Sequence, residues 1–220
     1  MNIAYMEKNR VRFASGATRA KGILELIHSD VFGPVQVPSL GKSMYYVSFI
    51  DDFSMNIWIY FLRKKYEVFA KFKEFKALVE NQSENKIKVL RKNNGGEFCG
   101  NEFEDFCKKC GIARKNNTPY TPQQNGFAER MNRTLMEKAR SMLSSAGIGQ
   151  EFWAEAVETT CYLVNRSATS TLIDKTPQEV WIGKKPSIKH LKVFGCDAYV
   201  HVPKEKRSKL DKNINSVTVI

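Results

Sequence analysis

The chain has 220 residues, 42% of them hydrophobic and 11% aromatic. That is enough apolar material for a real core and excludes an intrinsically disordered chain. Its five cysteines are irregularly spaced, which excludes a disulfide framework, and no apolar run approaches the ~18 residues needed to cross a membrane. The net charge of +12 comes from Lys and Arg spread along the whole chain, so the folded body is expected to favour polyanions, of which nucleic acid is the commonest.

Residues 1–20 are polar and basic without clear periodicity and read as the remnant of a region upstream of the folded core. Leu24 to Phe32 is strand-like and halts at Gly33-Pro34; Met44 to Ile50 and Ile57 to Leu62 give two more strands, and the short connections predict an antiparallel meander. From Tyr66 the period changes: Val68, Phe72, Phe75 and Val79 follow helical spacing. Lys86 to Arg91 returns to strand character, a helix spans Phe103 to Cys110, and a short strand follows near Ile112 to Arg114. A proline-rich loop then leads into a long helix from about Gly126 to Ala146, on which Phe127, Met131, Leu135, Ala139 and Leu143 recur every four residues. Another helix is expected from Glu151 to Asn165, and Thr176 before Pro177 reads as the cap of a helical turn. Leu191 to Val202 reads as one or two strands of a small β unit.

This order predicts an α/β fold with a five-stranded mixed sheet flanked by helices. The first and fourth strands should lie side by side, bringing Asp30 and Asn93 together, with a third group supplied by the helix that starts near Gly126. Glu129 has a plain reading there, an acid near a helix N-terminus paired with Arg133 one turn on. Cys107 and Cys110 form a C-x-x-C, but no second pair follows and the three histidines are distant in sequence, so a structural helix is the better account than half a zinc site. Asp51 and Asp52 read as turn residues rather than metal ligands. Trp58 and Trp153 read as core rather than as stacking platforms for bases. An odd cysteine count without a secretory signal points to a reducing intracellular compartment.

Four motifs carry a resemblance: His28-Ser29-Asp30-Val31 with Gly33-Pro34; Asn94-Gly95-Gly96-Glu97-Phe98; Pro119-Tyr120-Thr121-Pro122-Gln123-Gln124-Asn125-Gly126; and Ala128-Glu129-Arg130-Met131-Asn132-Arg133-Thr134. They resemble the catalytic core of copia-type retrotransposon integrases, over about Leu24 to Pro186. The resemblance implies a ribonuclease-H-like core at 21–187 within a Pol polyprotein, followed at 188–220 by the truncated start of an SH3-like β domain. It implies a DDE-type polynucleotidyl transferase that processes DNA 3′ ends and joins them to target DNA, in a cytoplasmic particle and the nucleus, as a possible homo-oligomer. Two Mg²⁺ or Mn²⁺ ions would be held by three carboxylates, because hard cations want anionic oxygen ligands.

Carried over by motif, the first metal-binding carboxylate is Asp30 and the third is Glu129. The second should precede Asn94-Gly95-Gly96, where the family reads Thr-Asp and this chain has Lys92-Asn93. The 35 residues between positions 93 and 129 match the family's spacing, so the register is kept while the chemistry changes. Asn93 keeps an amide oxygen but loses a negative charge, and Lys92 adds a positive one beside it, so cation binding should weaken and this copy should be impaired or inactive. The first ten residues lack the family's zinc-binding Cys and His, and 213–220 match the pattern poorly, as in a fragment of a decaying element. Arg133 matches a basic position that faces DNA in related integrases, and Arg130, Gln124 and Asn125 flank the same site. Besides the integrase reading there remain a non-catalytic basic nucleic-acid-binding module and a multimerising relic. A ribonuclease H or other nuclease of the same fold suits the strand order but not the loop at 119–126.

Overall fold

In the computed structural model, the described residues are 19–92, 98, 100–116, 126–203, 205 and 214–218. Five strands form one sheet: β1 (Ile27–Phe32), β2 (Tyr45–Asp51), β3 (Ile57–Leu62), β4 (Val89–Lys92) and β5 (Ala113–Asn116). Their order is β3-β2-β1-β4-β5; β1 pairs antiparallel with β2 and β2 with β3, while β1–β4 and β4–β5 are parallel. The predicted meander and the adjacency of first and fourth strands are both present. Each parallel step is bridged by a helix, α1 (Val68–Ser83) before β4 and α2 (Asn101–Lys109) before β5, as parallel neighbours require. Two longer helices follow, α3 (Gly126–Ala146) and α4 (Trp153–Asn165), then the short α5 (Pro177–Ile182).

Both sheet faces are covered, and the strand period of two sorts the side chains between them. One face meets α1 and α2: Ile27, Val47, Phe49, Leu62 and Leu90 pack with Phe72, Phe75, Val79, Phe103 and Cys107. Phe49 and Phe75 stack at 4.4 Å between ring centroids, joining β2 to α1. The other face meets α3 and α4 through Tyr46, Met136, Ala139, Leu143, Trp153 and Val157, with Ile50, Ile57, Leu135 and Cys161 alongside. Each large side chain so buried contributes about 1.5–3 kcal/mol of transfer free energy.

Several local expectations hold in detail. Trp153 is buried and donates its indole N–H to Val37 O at 3.0 Å, and Trp58 packs edge-on against Phe75 and Trp181. The Thr176 hydroxyl accepts from Glu179 N at 3.0 Å, which caps α5. Cys107 is buried in the core while Cys110 is exposed, so the C-x-x-C serves the helix. After β1 the chain reverses at Gly33, whose φ of 120° and close approach to Met44 O leave no room for a side chain.

Two boundaries shift. Arg19 and Ala20 fall in the stretch read as an upstream remnant, yet Arg19 donates to the carbonyls of Asp52, Phe53 and Thr171 and Ala20 N donates to Asp52 Oδ2. The core therefore begins earlier than the loss of periodicity suggested. Toward the other end, only Asp197–His201 (β6) of the run Leu191 to Val202 is strand; it pairs antiparallel with Ile214–Thr218 (β7). The residues before β6 turn instead, with Phe194 packed on the α3–α4 side of the core and Gly195 tight against Ala146. Residues 1–18 lie outside the described residues.

Glu80 on α1 is nearly buried and accepts from Lys76 Nζ at 2.8 Å, Lys86 Nζ at 3.1 Å and Ile87 N at 3.1 Å. Burial works against its carboxylate, but these donors outweigh it and hold the pKa below the ordinary 4.5. A depressed acid adds stability that is present above its unfolded pKa and lost as pH falls through the folded one. Glu80→Gln should therefore cost about 1–3 kcal/mol at pH 7 in urea unfolding. The gap between the two proteins should narrow once the pH drops below about 4.5, the ordinary value for this group.

Candidate active site

Alternation along β1 sends Ile27, Ser29 and Val31 toward α1 and α2, and His28, Asp30 and Phe32 toward α3. Asp30 is 5% exposed, and Asn132 of α3 donates from Nδ2 to Asp30 Oδ2 at 3.0 Å. A carboxylate can only accept, so the amide must present its NH₂. The Asn132 backbone carbonyl in turn accepts from Tyr46 OH of β2 at 3.1 Å. Burial, and then the nearby charge of Asp30, pushes the Tyr46 phenol far up, so it stays a neutral donor. Three elements are thus pinned at one point, and α3 can neither slide nor rotate without breaking a buried hydrogen bond.

Glu129 lies three residues before Asn132 on α3, and residues so spaced are neighbours on a helix surface, with about 5–6 Å between Cβ atoms. Its carboxylate is exposed, one turn nearer the helix N-terminus than the contact with Asp30. The expected pairing with Arg133 is not made: among the described residues neither has an ion-pair partner, and both face solvent. Arg130 is exposed too and folds back over Gly126, whose missing Cβ would sit 2.6 Å from Nη1. Asn93, Gln124 and Asn125 lie outside the described residues.

On β4, Lys92 is in register with Ser29, and Leu90 with Ile27, so Lys92 leaves the sheet on the α1–α2 face, opposite Asp30. It is fully buried, donates to Phe98 O at 3.3 Å and lies 5.6 Å from the Phe98 ring centroid. This corrects the expectation of a positive charge beside the site, because the ammonium sits behind the sheet. Asp51 and Asp52 are structural, as read. Asp51 accepts from Leu24 N, Ser54 N and Ser54 Oγ at 2.7–2.8 Å, while Asp52 Oδ1 meets His28 Nε2 at 2.8 Å. Burial opposes ionisation of both; it prevails at Asp51, raising its pKa, whereas the bonds from His28 and Ala20 N lower that of Asp52.

Sequence reasoning missed Asn132. Its signal was an amide inside the apolar stripe of α3, where Ala128, Leu135, Met136, Ala139 and Leu143 are buried and Asn132 is 1% exposed. A strict four-residue repeat drifts around a helix of 3.6 residues per turn, so Phe127 and Met131 end up half-buried at the edge of that stripe. Among the described residues no three His, Cys, Asp or Glu side chains converge into a metal-binding group. Asp30 and Glu129 do provide hard anionic oxygens, the donor type that suits Mg²⁺ or Mn²⁺.

A mixed five-stranded sheet with an acid on its central strand and a long helix packed across that strand is the arrangement of a ribonuclease-H-like core. Residues 22–122 match the family described as Integrase core domain. The chain is 50% identical over 205 residues to the retrovirus-related Pol polyprotein from transposon TNT 1-94 of Nicotiana tabacum, covering 93% of this chain and 15% of that protein. It is 34% identical over 205 residues to the Pol polyprotein from transposon RE2 of Arabidopsis thaliana, covering 93% and 14%. Among solved structures, the HTLV-2 integrase catalytic core domain in complex with magnesium (trimeric form) superposes with a TM-score of 0.55 at 18% identity, over 74% of this chain and 99% of that one. A simian T-cell lymphotropic virus intasome in complex with PP2A regulatory subunit B56 gamma gives 0.61 at 15% identity, over 90% and 68%. The fold is that of retroviral integrase catalytic cores, which are ribonuclease-H-like. Residues 22–122 thus match an integrase core domain, and the chain as a whole is similar to a segment of copia-type Pol polyproteins, spanning about one-seventh of the length of these curated relatives.

Proposed function

We propose that this chain is the DNA-handling core of a copia-type integrase, in which Asp30 and Glu129 are metal ligands and Asn93 stands at the position of the second catalytic aspartate. The observation that supports the reading is the Asn132–Asp30 hydrogen bond of 3.0 Å, which ties α3 to β1 about one helical turn from Glu129 along α3. A bound pair of divalent ions would polarise the scissile phosphate and activate water or a DNA 3′-hydroxyl. The chain's own residues hold that place: Asn132 orients Asp30, and the helix N-terminus favours the Glu129 carboxylate. With an amide at 93 the set has two carboxylates instead of three, so ion affinity and catalysis are both impaired. Arg130 and Arg133 on the exposed side of α3, with Gln124 and Asn125 just before it in sequence, contact the DNA strand, and the net charge of +12 adds unspecific attraction. Self-association is part of this reading, supported by the trimeric and dimeric forms described for the similarly folded HTLV-2 core.

Fluorescence anisotropy with a short DNA duplex tests the reading. The protein should bind at low salt, with affinity falling steeply as salt rises, and Arg133→Ala should weaken binding and flatten the log–log salt slope by about one. Absence of duplex binding at low salt would overturn it. Divalent-metal-independent binding without strand transfer, in this chain and in Asn93→Asp alike, would favour the non-catalytic nucleic-acid-binding reading.

A further inference from the structure

On α3, next to the face that meets Asp30, lies a cavity of about 390 Å³. It is bounded by the first half of α3, the turn at Met55, the end of α4 and the loop from Ser167 to Pro177. Its volume falls in the range of small-molecule pockets, about 300–1,000 Å³. Phe127, Met131 and Val164 supply an apolar lining; Arg130 and Lys138 supply two cations, with the Thr134 side chain between them. None of the lining residues is acidic. The Phe127 ring is held edge-on against His28 at 5.1 Å, so this wall is tied to β1 rather than to a loop. Arg130, Thr134 and Lys138 are each four residues apart and form a row, its ends about 12 Å apart along the helix axis.

We propose that this groove takes one unpaired nucleotide of a DNA strand, its base against Phe127 and Met131 and its flanking phosphates on Arg130 and Lys138. The inference rests on the integrase reading and adds a subsite to it. An apolar wall with an aromatic ring suits the face of any base, and two cations without a neighbouring acid suit a phosphodiester. The groove's row of polar residues begins with Arg130, the residue after Glu129, so the groove and the candidate active site share the first turns of α3. An apolar peptide would leave the two cations without counter-charges.

The test compares three probes on the full chain: a blunt duplex, the same duplex with a short unpaired tail, and that tail carrying an abasic nucleotide. The native tail should bind about tenfold more tightly than the abasic one, since base–aromatic contact is what they differ in. Ala168→Trp or Thr171→Trp, each filling the groove from its exposed loop, should erase that difference and keep blunt-duplex affinity and the melting temperature. Equal binding of native and abasic tails by the wild-type chain, or a difference that survives both tryptophan variants, overturns the nucleotide subsite alone. Failure to bind any of the three probes overturns the integrase reading together with it.

Discussion

Asn93→Asp should raise divalent-metal-dependent disintegration or strand transfer by about 100-fold over the present chain, measured with Mg²⁺ and with Mn²⁺. Metal stabilisation of a phosphoryl-transfer transition state is worth several kcal/mol, and each 1.36 kcal/mol is tenfold in rate, so restoring part of it accounts for a gain of that size. The substitution is nearly isosteric and adds one negative charge. The supporting frame is already built: β1 and β4 are parallel neighbours in register up to Ser29 and Lys92, and α3 is locked to Asp30 through Asn132. Because Lys92 is buried on the opposite side of the sheet, it need not be changed for the gain to appear. Equal activity in the two proteins would remove Asn93 as the cause of impairment. The gain should be larger in Mn²⁺ than in Mg²⁺, since Mg²⁺ demands near-ideal octahedral geometry from its ligands.

What was legible in the sequence and what was not divides along range of interaction. β3 matched from Ile57 to Leu62 because an apolar run between turn residues carries its own boundaries. The adjacency of β1 and β4 followed from short hairpin links on one side and a helical crossover on the other. Asp30 and Glu129 were singled out through motifs, and the structure packs α3, which carries Glu129, against β1, which carries Asp30. Asn132 was hidden because its meaning lies 102 residues away, in the Asp30 carboxylate. Lys92 was misjudged for a related reason: a lysine beside a candidate ligand position suggests a charge in the site, and only strand register reveals the face it takes. Arg19 looked like part of an unpatterned tail because its three hydrogen bonds go to backbone carbonyls, which leave no mark on side-chain periodicity.

Asn132→Asp should be among the most damaging single substitutions in the chain, costing about 3–5 kcal/mol at pH 7, whereas Asn132→Ala should cost about 1.5–3 kcal/mol. The alanine removes one hydrogen bond to a charged group and leaves a small gap against β1. The aspartate keeps the shape but sets two carboxylates about a hydrogen bond apart where Asn132 is 1% and Asp30 5% exposed. Like charges that close disfavour joint ionisation, so protons are retained by the folded pair to higher pH than by the unfolded chain. With the folded pKa raised, the variant regains stability as pH falls and loses it as pH rises through that pKa. Denaturant titrations from pH 4 to 8 should therefore show Asn132→Asp converging on Asn132→Ala in acid and falling well below it near neutrality. Millimolar Mn²⁺ should restore part of the aspartate variant's stability at pH 7 and leave the alanine variant unmoved, because a cation can bridge the new pair but not the gap. A pH-independent difference between the two variants would mean that α3 moves away from β1 instead of holding the two acids together.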